Sequence, residues 1–170
     1  LIICVGDAQP SIPEEAYRLA KQIVRLAEKL NVRRIYTLAA YPSDYHDEPQ
    51  VFGVFSSDHL KATLLEHDVH LLQGEGAVNG LNGVLIGVSK KKNIDGVCLM
   101  AEIKYANVPQ HLSSKAVLDK LTAILGIKID TSLLEKRAKR VEESISRQFS
   151  LNKDSEDEGR KDNREFRYIS

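Results

Sequence analysis

The chain has 170 residues, 42% of them apolar, and 24 basic residues against 24 acidic ones, a formal net charge of zero. That length fits one domain with one sizeable core. The charge balance excludes a broad basic field for nucleic acid or an anionic membrane. No apolar run approaches the roughly eighteen residues needed to span a bilayer.

Leu1-Ile-Ile-Cys-Val5 is a continuous apolar run closed by Gly6-Asp7. It reads as a strand buried on both faces, and its opening on Leu1 suggests numbering that starts inside a longer polypeptide. Pro13 sits in the first turn of a helix, with Glu14 and Glu15 at its positive end. Ala16, Leu19, Ala20, Ile23, Val24, Ala27 and Leu30 share one face at helical period, and Asn31 ends the run. Arg34 to Ala39 is the next strand, which gives a strand–helix–strand unit with a right-handed crossover. Tyr41 to Gln50 is a loop, Val51 to Phe55 a short strand, and Ser57 or Asp58 caps a helix running to about Glu66.

Val69 to Leu72 is a further short strand. Gly74 to Gly83 carries four glycines in ten residues, and a helix runs from Val84 to Lys92. Ile94 to Ala101 is another apolar strand, followed by Glu102. Pro109 opens a helix whose stripe is Val117, Leu118, Leu121, Ile124 and Leu125, and Gly126 stops it. Asp130 caps a last helix carrying Leu134, Ala138, Val141, Ile145 and Phe149. The alternation predicts an α/β protein, a three-layer α/β/α sandwich on a mostly parallel sheet. The expected organisation is a core over residues 1–130, an amphipathic helix over 131–149 and a flexible charged tail over 150–170. In that tail, Leu151 to Glu165 holds ten charged residues and one apolar residue, and the chain closes on Phe166, Arg167, Tyr168, Ile169 and Ser170. So polar a segment cannot offset its ordering entropy by self-burial, and an apolar tip on such a leash has the composition of a docking element.

Catalytic constellations are sparse. The glycines at 74, 76, 80 and 83 match neither Gly-x-Gly-x-x-Gly nor a Walker loop, and Glu75 would repel phosphate. Sharp crossing and tight helix-on-sheet contact explain them better than an anion loop or an interface role does. Asp7 and Glu102 follow apolar strands, where open α/β sheets place their sites, and could activate water or hold a divalent ion. With Glu75, Asn79 and Asn82 they make up the candidate small-ligand set. Asp7 could equally accept hydrogen bonds from the turn that follows it. Ser56 and Ser57 lie outside Gly-x-Ser-x-Gly, and no His pair has zinc spacing, so no catalytic residue, metal or cofactor is assigned. Cys4 and Cys98 sit in apolar runs and read as buried free thiols, which fits a reducing, cytoplasmic compartment.

Gly6-Asp-Ala-Gln-Pro10, Ile35-Tyr-Thr-Leu38, the glycine stretch 74–83, Gly96-Val-Cys-Leu-Met-Ala-Glu102 and the run from Ala116 through Asp130 occur in this order. Together they resemble the proteasome assembly chaperone family, in its archaeal branch, over about residues 1 to 145. That family is sometimes catalogued with ATP-grasp enzymes, a label that no motif of this chain supports. The resemblance implies an α/β/α fold, an N-terminal segment ahead of Leu1, homo-oligomerisation and binding to proteasome α subunits. Family members can end in a hydrophobic-Tyr-any residue tail that enters pockets between α subunits. Here Tyr168 is third from the end and Ile169 second. Phe166, Tyr168 and Ile169 would anchor, and the Ser170 carboxylate would meet a lysine. The leading expectation is therefore a non-enzymatic assembly chaperone or proteasome-binding factor. The alternatives are a small-ligand or nucleotide-binding enzyme using the acids at the strand ends, and a homo-oligomeric scaffold paired through its last helix.

Overall fold

The computed structural model describes residues 1–72, 78–141 and 143–144. The chain divides into two units, Leu1–Ile129 and Asp130–Ser170. In the first, α1 (Pro13–Lys29), β1 (Arg34–Pro42), β2 (Val51–Phe55), α2 (Leu60–Glu66), β3 (His70–Leu71), α3 (Gly80–Lys90), β4 (Asp95–Ile103) and α4 (His111–Leu125) follow in order. The four strands form one sheet in the order β1-β4-β2-β3. β1 runs parallel to β4 from Arg34↔Asp95 to Pro42↔Ile103, and β2 runs parallel to β3. β2 and β4 are antiparallel, with Val51 opposite Ala101. The sheet is thus mostly parallel, as expected.

β4 is central, and Gly96 to Glu102 are all buried. Successive side chains of a strand point to opposite faces. Val97, Leu99 and Ala101 pack with Leu60 and Leu64 of α2 and Val117 of α4, and Leu121 and Ile124 close that cluster. Cys98 and Met100 pack on the other face with Ile86 of α3. α1 lays Ala20, Val24 and Ala27 against Leu85 and Val88 of α3. A strand covered by helices on both faces must be apolar at every position, which is why this stretch carries no alternation. Gly96 is required by the close approach of α3: a Cβ there would lie 2.8 Å from Ser89 Oγ and 3.2 Å from Ile86 Cα.

The four helices of this unit end alike. Asn31, Asp68, Asn93 and Gly126 take positive φ, at 53°, 52°, 55° and 66°. The next amide in each case reaches back five residues: Val32 to Ala27, Val69 to Leu64, Ile94 to Ser89 and Ile127 to Thr122, at 2.9, 2.9, 3.1 and 3.0 Å. This is the left-handed cap that satisfies the last helical carbonyls. Pro13 opens α1, with Glu14 and Glu15 in its first turn. α2 differs from expectation: its N-cap is His59, with no side-chain cap bond from Ser57 or Asp58. α3 starts at Gly80 rather than Val84, because Gly80 adopts φ +71° and turns the chain into the helix early.

The largest correction is at the start of the chain. Leu1–Val5 forms no strand and is exposed, Leu1 at 89% and Val5 at 86%. Cys4 is exposed with it, whereas Cys98 is buried as expected. A continuous apolar run states what a segment would gain by burial. It does not supply the neighbouring strand that burial requires, and among the described residues none pairs with this segment. The first strand–helix–strand unit is therefore absent, and β2–α2–β3 is the parallel unit that forms.

In the second unit, residues 132–141 are helical. Asp130 Oδ1 accepts the Ser132 amide at 2.9 Å. That backbone bond, helped by the Ser132 hydroxyl, holds the Asp130 carboxyl below the ordinary aspartate range.

Burial pushes the Cys98 thiol up, against a smaller opposite pull from Thr37, its neighbour across the β1–β4 register. A raised thiol carries little thiolate and reacts slowly. An aromatic disulfide reagent should therefore label Cys4 rapidly and Cys98 only on unfolding; two rapid thiols, or none, would contradict this arrangement. Gly96→Val should destabilise the fold by about 2 kcal/mol or more through overpacking between β4 and α3, read as a fall in unfolding midpoint.

Candidate functional site

Among the described residues, Asn79 and Asn82 lie at the head of α3, Glu102 near the carboxyl end of β4, and Asp7 in the segment ahead of α1. Segment 6–10 reaches the start of α3, where Gln9 Oε1 accepts the Leu81 amide at 3.2 Å. Glycine at position 80 is favoured by its φ of +71°, whereas Gln9 Oε1, 2.8 Å from where a Cβ would lie, is the tip of a side chain that can move aside. Asn79 is the N-cap residue of α3, but its side chain makes no cap bond. Asn82 Nδ2 donates to the Leu38 carbonyl of β1 at 3.3 Å. Asp7 is exposed. Gly83 abuts Val78, whose carbonyl oxygen occupies the space a Cβ would need. Of the two described glycines in the stretch, Gly80 thus serves the turn into α3 and Gly83 the close packing at its head. Glu75 lies outside the described residues, as do Phe166, Tyr168, Ile169 and Ser170.

Glu102 is buried, and both of its carboxylate oxygens are engaged. Ser43 Oγ donates to Oε1 at 2.7 Å and the Gln50 amide donates to Oε2 at 2.9 Å. The Glu102 amide in turn donates to the Gln50 carbonyl at 3.0 Å, and its carbonyl accepts the Ser113 hydroxyl of α4. One residue thus pins both ends of the β1–β2 loop and the first turn of α4. A carboxylate buried without such donors would cost several kcal/mol, so these bonds explain how an acid sits at the end of a central strand.

Sequence reasoning placed Glu102 correctly beside a strand end but missed Ser43, Gln50 and Ser113. A lone serine or a backbone amide in a loop carries no periodic signal. Tyr41 and Phe52 stack at 4.9 Å on the α3 side of the sheet, and Lys104 Nζ sits 4.5 Å above the Tyr45 ring. The first contact joins β1 to β2 and the second ties the β1–β2 loop to the residue after β4. Among the described residues, no cluster of three or more His, Cys, Asp or Glu side chains has metal-binding geometry. Asp7 and Glu102 share no hydrogen bond or common partner among them either.

This architecture, helices on both faces of a four-stranded sheet around one apolar central strand, defines an α/β protein whose buried acid Glu102 is held in a structural clamp. Residues 1–149 match the PAC2 family, and the chain belongs to it. It is 30% identical over 148 residues to the uncharacterized protein MJ1210 of Methanocaldococcus jannaschii, across 86% of this chain and 57% of that one. The fold is similar to Pyrococcus furiosus PbaB, an archaeal proteasome activator, with TM-score 0.74 and 28% identity over 84% of this chain and 62% of PbaB. It is also similar to P. furiosus PbaA, an archaeal homolog of proteasome-assembly chaperone, with TM-score 0.76 over 93% of this chain and 66% of PbaA; at 22% identity that is a likeness of fold. The chain spans less than two thirds of the length of each.

Glu102→Ala should destabilise the fold by about 1–3 kcal/mol, because the Gln50 amide and the Ser43 hydroxyl lose their acceptor. Denaturant unfolding would show it as a lower midpoint at unchanged slope. An unchanged midpoint would mean that the clamp carries no stability.

Proposed function

We propose that this protein is a non-enzymatic proteasome assembly chaperone or proteasome-binding factor. It engages α subunits, with Phe166, Tyr168, Ile169 and the Ser170 carboxylate as the contacting tip. The observation that carries the reading is the likeness to PbaB, an archaeal proteasome activator, in both fold and sequence at 28% identity. PAC2 family membership points the same way. The tip has suitable chemistry. Two aromatic residues and an isoleucine supply apolar area for a pocket, and the terminal carboxylate supplies a charge for a lysine at its floor.

The competing ligand-site reading draws less support. Glu102 spends both oxygens on the loop it clamps, and Asn82 spends its amide on β1. Self-association of the chain and a cytoplasmic location accompany the chaperone reading as expectations. No helix among the described residues is long and apolar enough to cross a membrane.

Co-purification with archaeal proteasome α subunits is the test, comparing the intact chain with a Tyr168→Ala/Ile169→Ala double variant. The intact chain should bring α subunits down, and the variant should retain at most about a tenth as much, as loss of two anchor side chains predicts. Equal capture would remove the tip from the interface. No capture by either would remove the α-subunit reading.

A further inference from the structure

We propose that the amino-terminal end of the sheet carries a second interaction surface, a depression bordered by exposed cations, that docks an acidic peptide segment of a partner protein. The depression is shallow, about 670 Å³, and opens between the ends of α1 and α3 and the first residues of β1 and β4. Val32 and Ile94 form its apolar floor, and Asn31 and Asn93 flank it at matching left-handed helix ends.

The parallel arrangement of α1 and α3 creates the surface. Both helices finish here: exposed Lys29 and Arg33 belong to one ending and exposed Lys90 and Lys91 to the other, and of these four Arg33 lines the depression itself. The Lys92–Glu28 ion pair, 3.2 Å, joins the two endings directly. The acids at the rim are already engaged: Glu28 by Lys92, and Asp95 by Arg34 at 3.3 Å and His59 at 3.0 Å. Burial opposes charge on Arg34, but its bonds to Tyr36 and Asp95 outweigh that and raise its pKa, so the pairing with Asp95 holds. Among the described residues Lys29, Arg33, Lys90 and Lys91 have no acidic partner.

The acidic loop with Asp44, Asp47 and Glu48 follows the opposite end of β1. Nine strand residues separate the two ends, about 30 Å, well beyond a physiological screening length of about 8 Å. Cations at helix C-termini are a common local match to the dipole, and one such ending alone would be only that. Here two endings are fused around a cavity whose own acids are consumed. The occupant that complements uncompensated cations, amide donors and a small apolar floor is an extended acidic segment with an occasional apolar side chain. This surface does not depend on the C-terminal tip or on α subunits, so either reading can fail without the other.

The test uses the full chain and a short fluorescein-labelled poly-glutamate peptide, with poly-lysine as control, followed by anisotropy. Saturable binding of poly-glutamate alone is expected. It should weaken steeply between 0.1 M and 1 M salt, as screening shortens from about 10 Å to about 3 Å. Arg33→Glu/Lys91→Glu should weaken it by about tenfold or more, as reversal of two exposed charges in one site predicts. Arg18→Glu, an exposed reversal in the first half of α1, should leave it within about twofold if charge acts locally. Absence of saturable binding overturns the proposal. So does an equal loss in Arg18→Glu, which would mean diffuse attraction. Light scattering adds a further outcome: self-association abolished by Arg33→Glu/Lys91→Glu would put a second copy in the depression and overturn the peptide assignment.

Discussion

Burial of β4 between two helical layers is the constraint from which everything else in the first unit follows. Its side chains feed α2 and α4 on one face and α3 on the other. Both of its ends are tied by polar contacts: the Gly96 amide donates to Ser56 Oγ at 2.8 Å, and Glu102 holds the β1–β2 loop and α4. Since β4 is the last strand in sequence yet lies between β1 and β2, the sheet cannot close until β4 enters it. The pairing of β1 with the rest of the sheet runs through this one strand, and overpacking at Gly96 therefore strains both the sheet and α3.

The same economy shapes the polar groups. Buried acids and amides near strand ends look like catalytic equipment in a sequence, because α/β enzymes place theirs in the same position. Here Glu102 and Asn82 are consumed by backbone and loop partners. Their positions match those of an enzyme site, but their hydrogen bonds are those of scaffolding. Such a body suits the proposed reading, in which the protein works by presenting surfaces.

Much of the architecture was legible in the sequence. Helical period gave α1, with Pro13 at its start and Asn31 at its end. The uninterrupted run after Ile94 gave a doubly covered strand, and Gly126 gave the end of α4. These succeeded because each is a local rule: period, cap or breaker. What depends on distant partners was hidden. Leu1–Val5 has the pattern of a core strand and lies exposed. The antiparallel insertion of β4 beside β2 left no trace in any one segment. Asp68 and Asn93 carry the same left-handed cap as Asn31, but nothing in the residue type distinguishes them from ordinary loop polars. In the site, Glu102 was visible while its clamp was not, since Ser43 and Gln50 are 59 and 52 residues away in sequence.

If this chain acts by binding protein and not by turning over a substrate, its C-terminal residues should register the partner. Hydrogen–deuterium exchange of the full chain, alone and with assembled proteasome α rings, reads this out residue by residue. Slowed exchange is expected at the C-terminal residues on addition of rings, with the amides of β4 and of the Glu102 clamp unchanged. Exchange identical with and without α rings along the whole chain would refute the binding role.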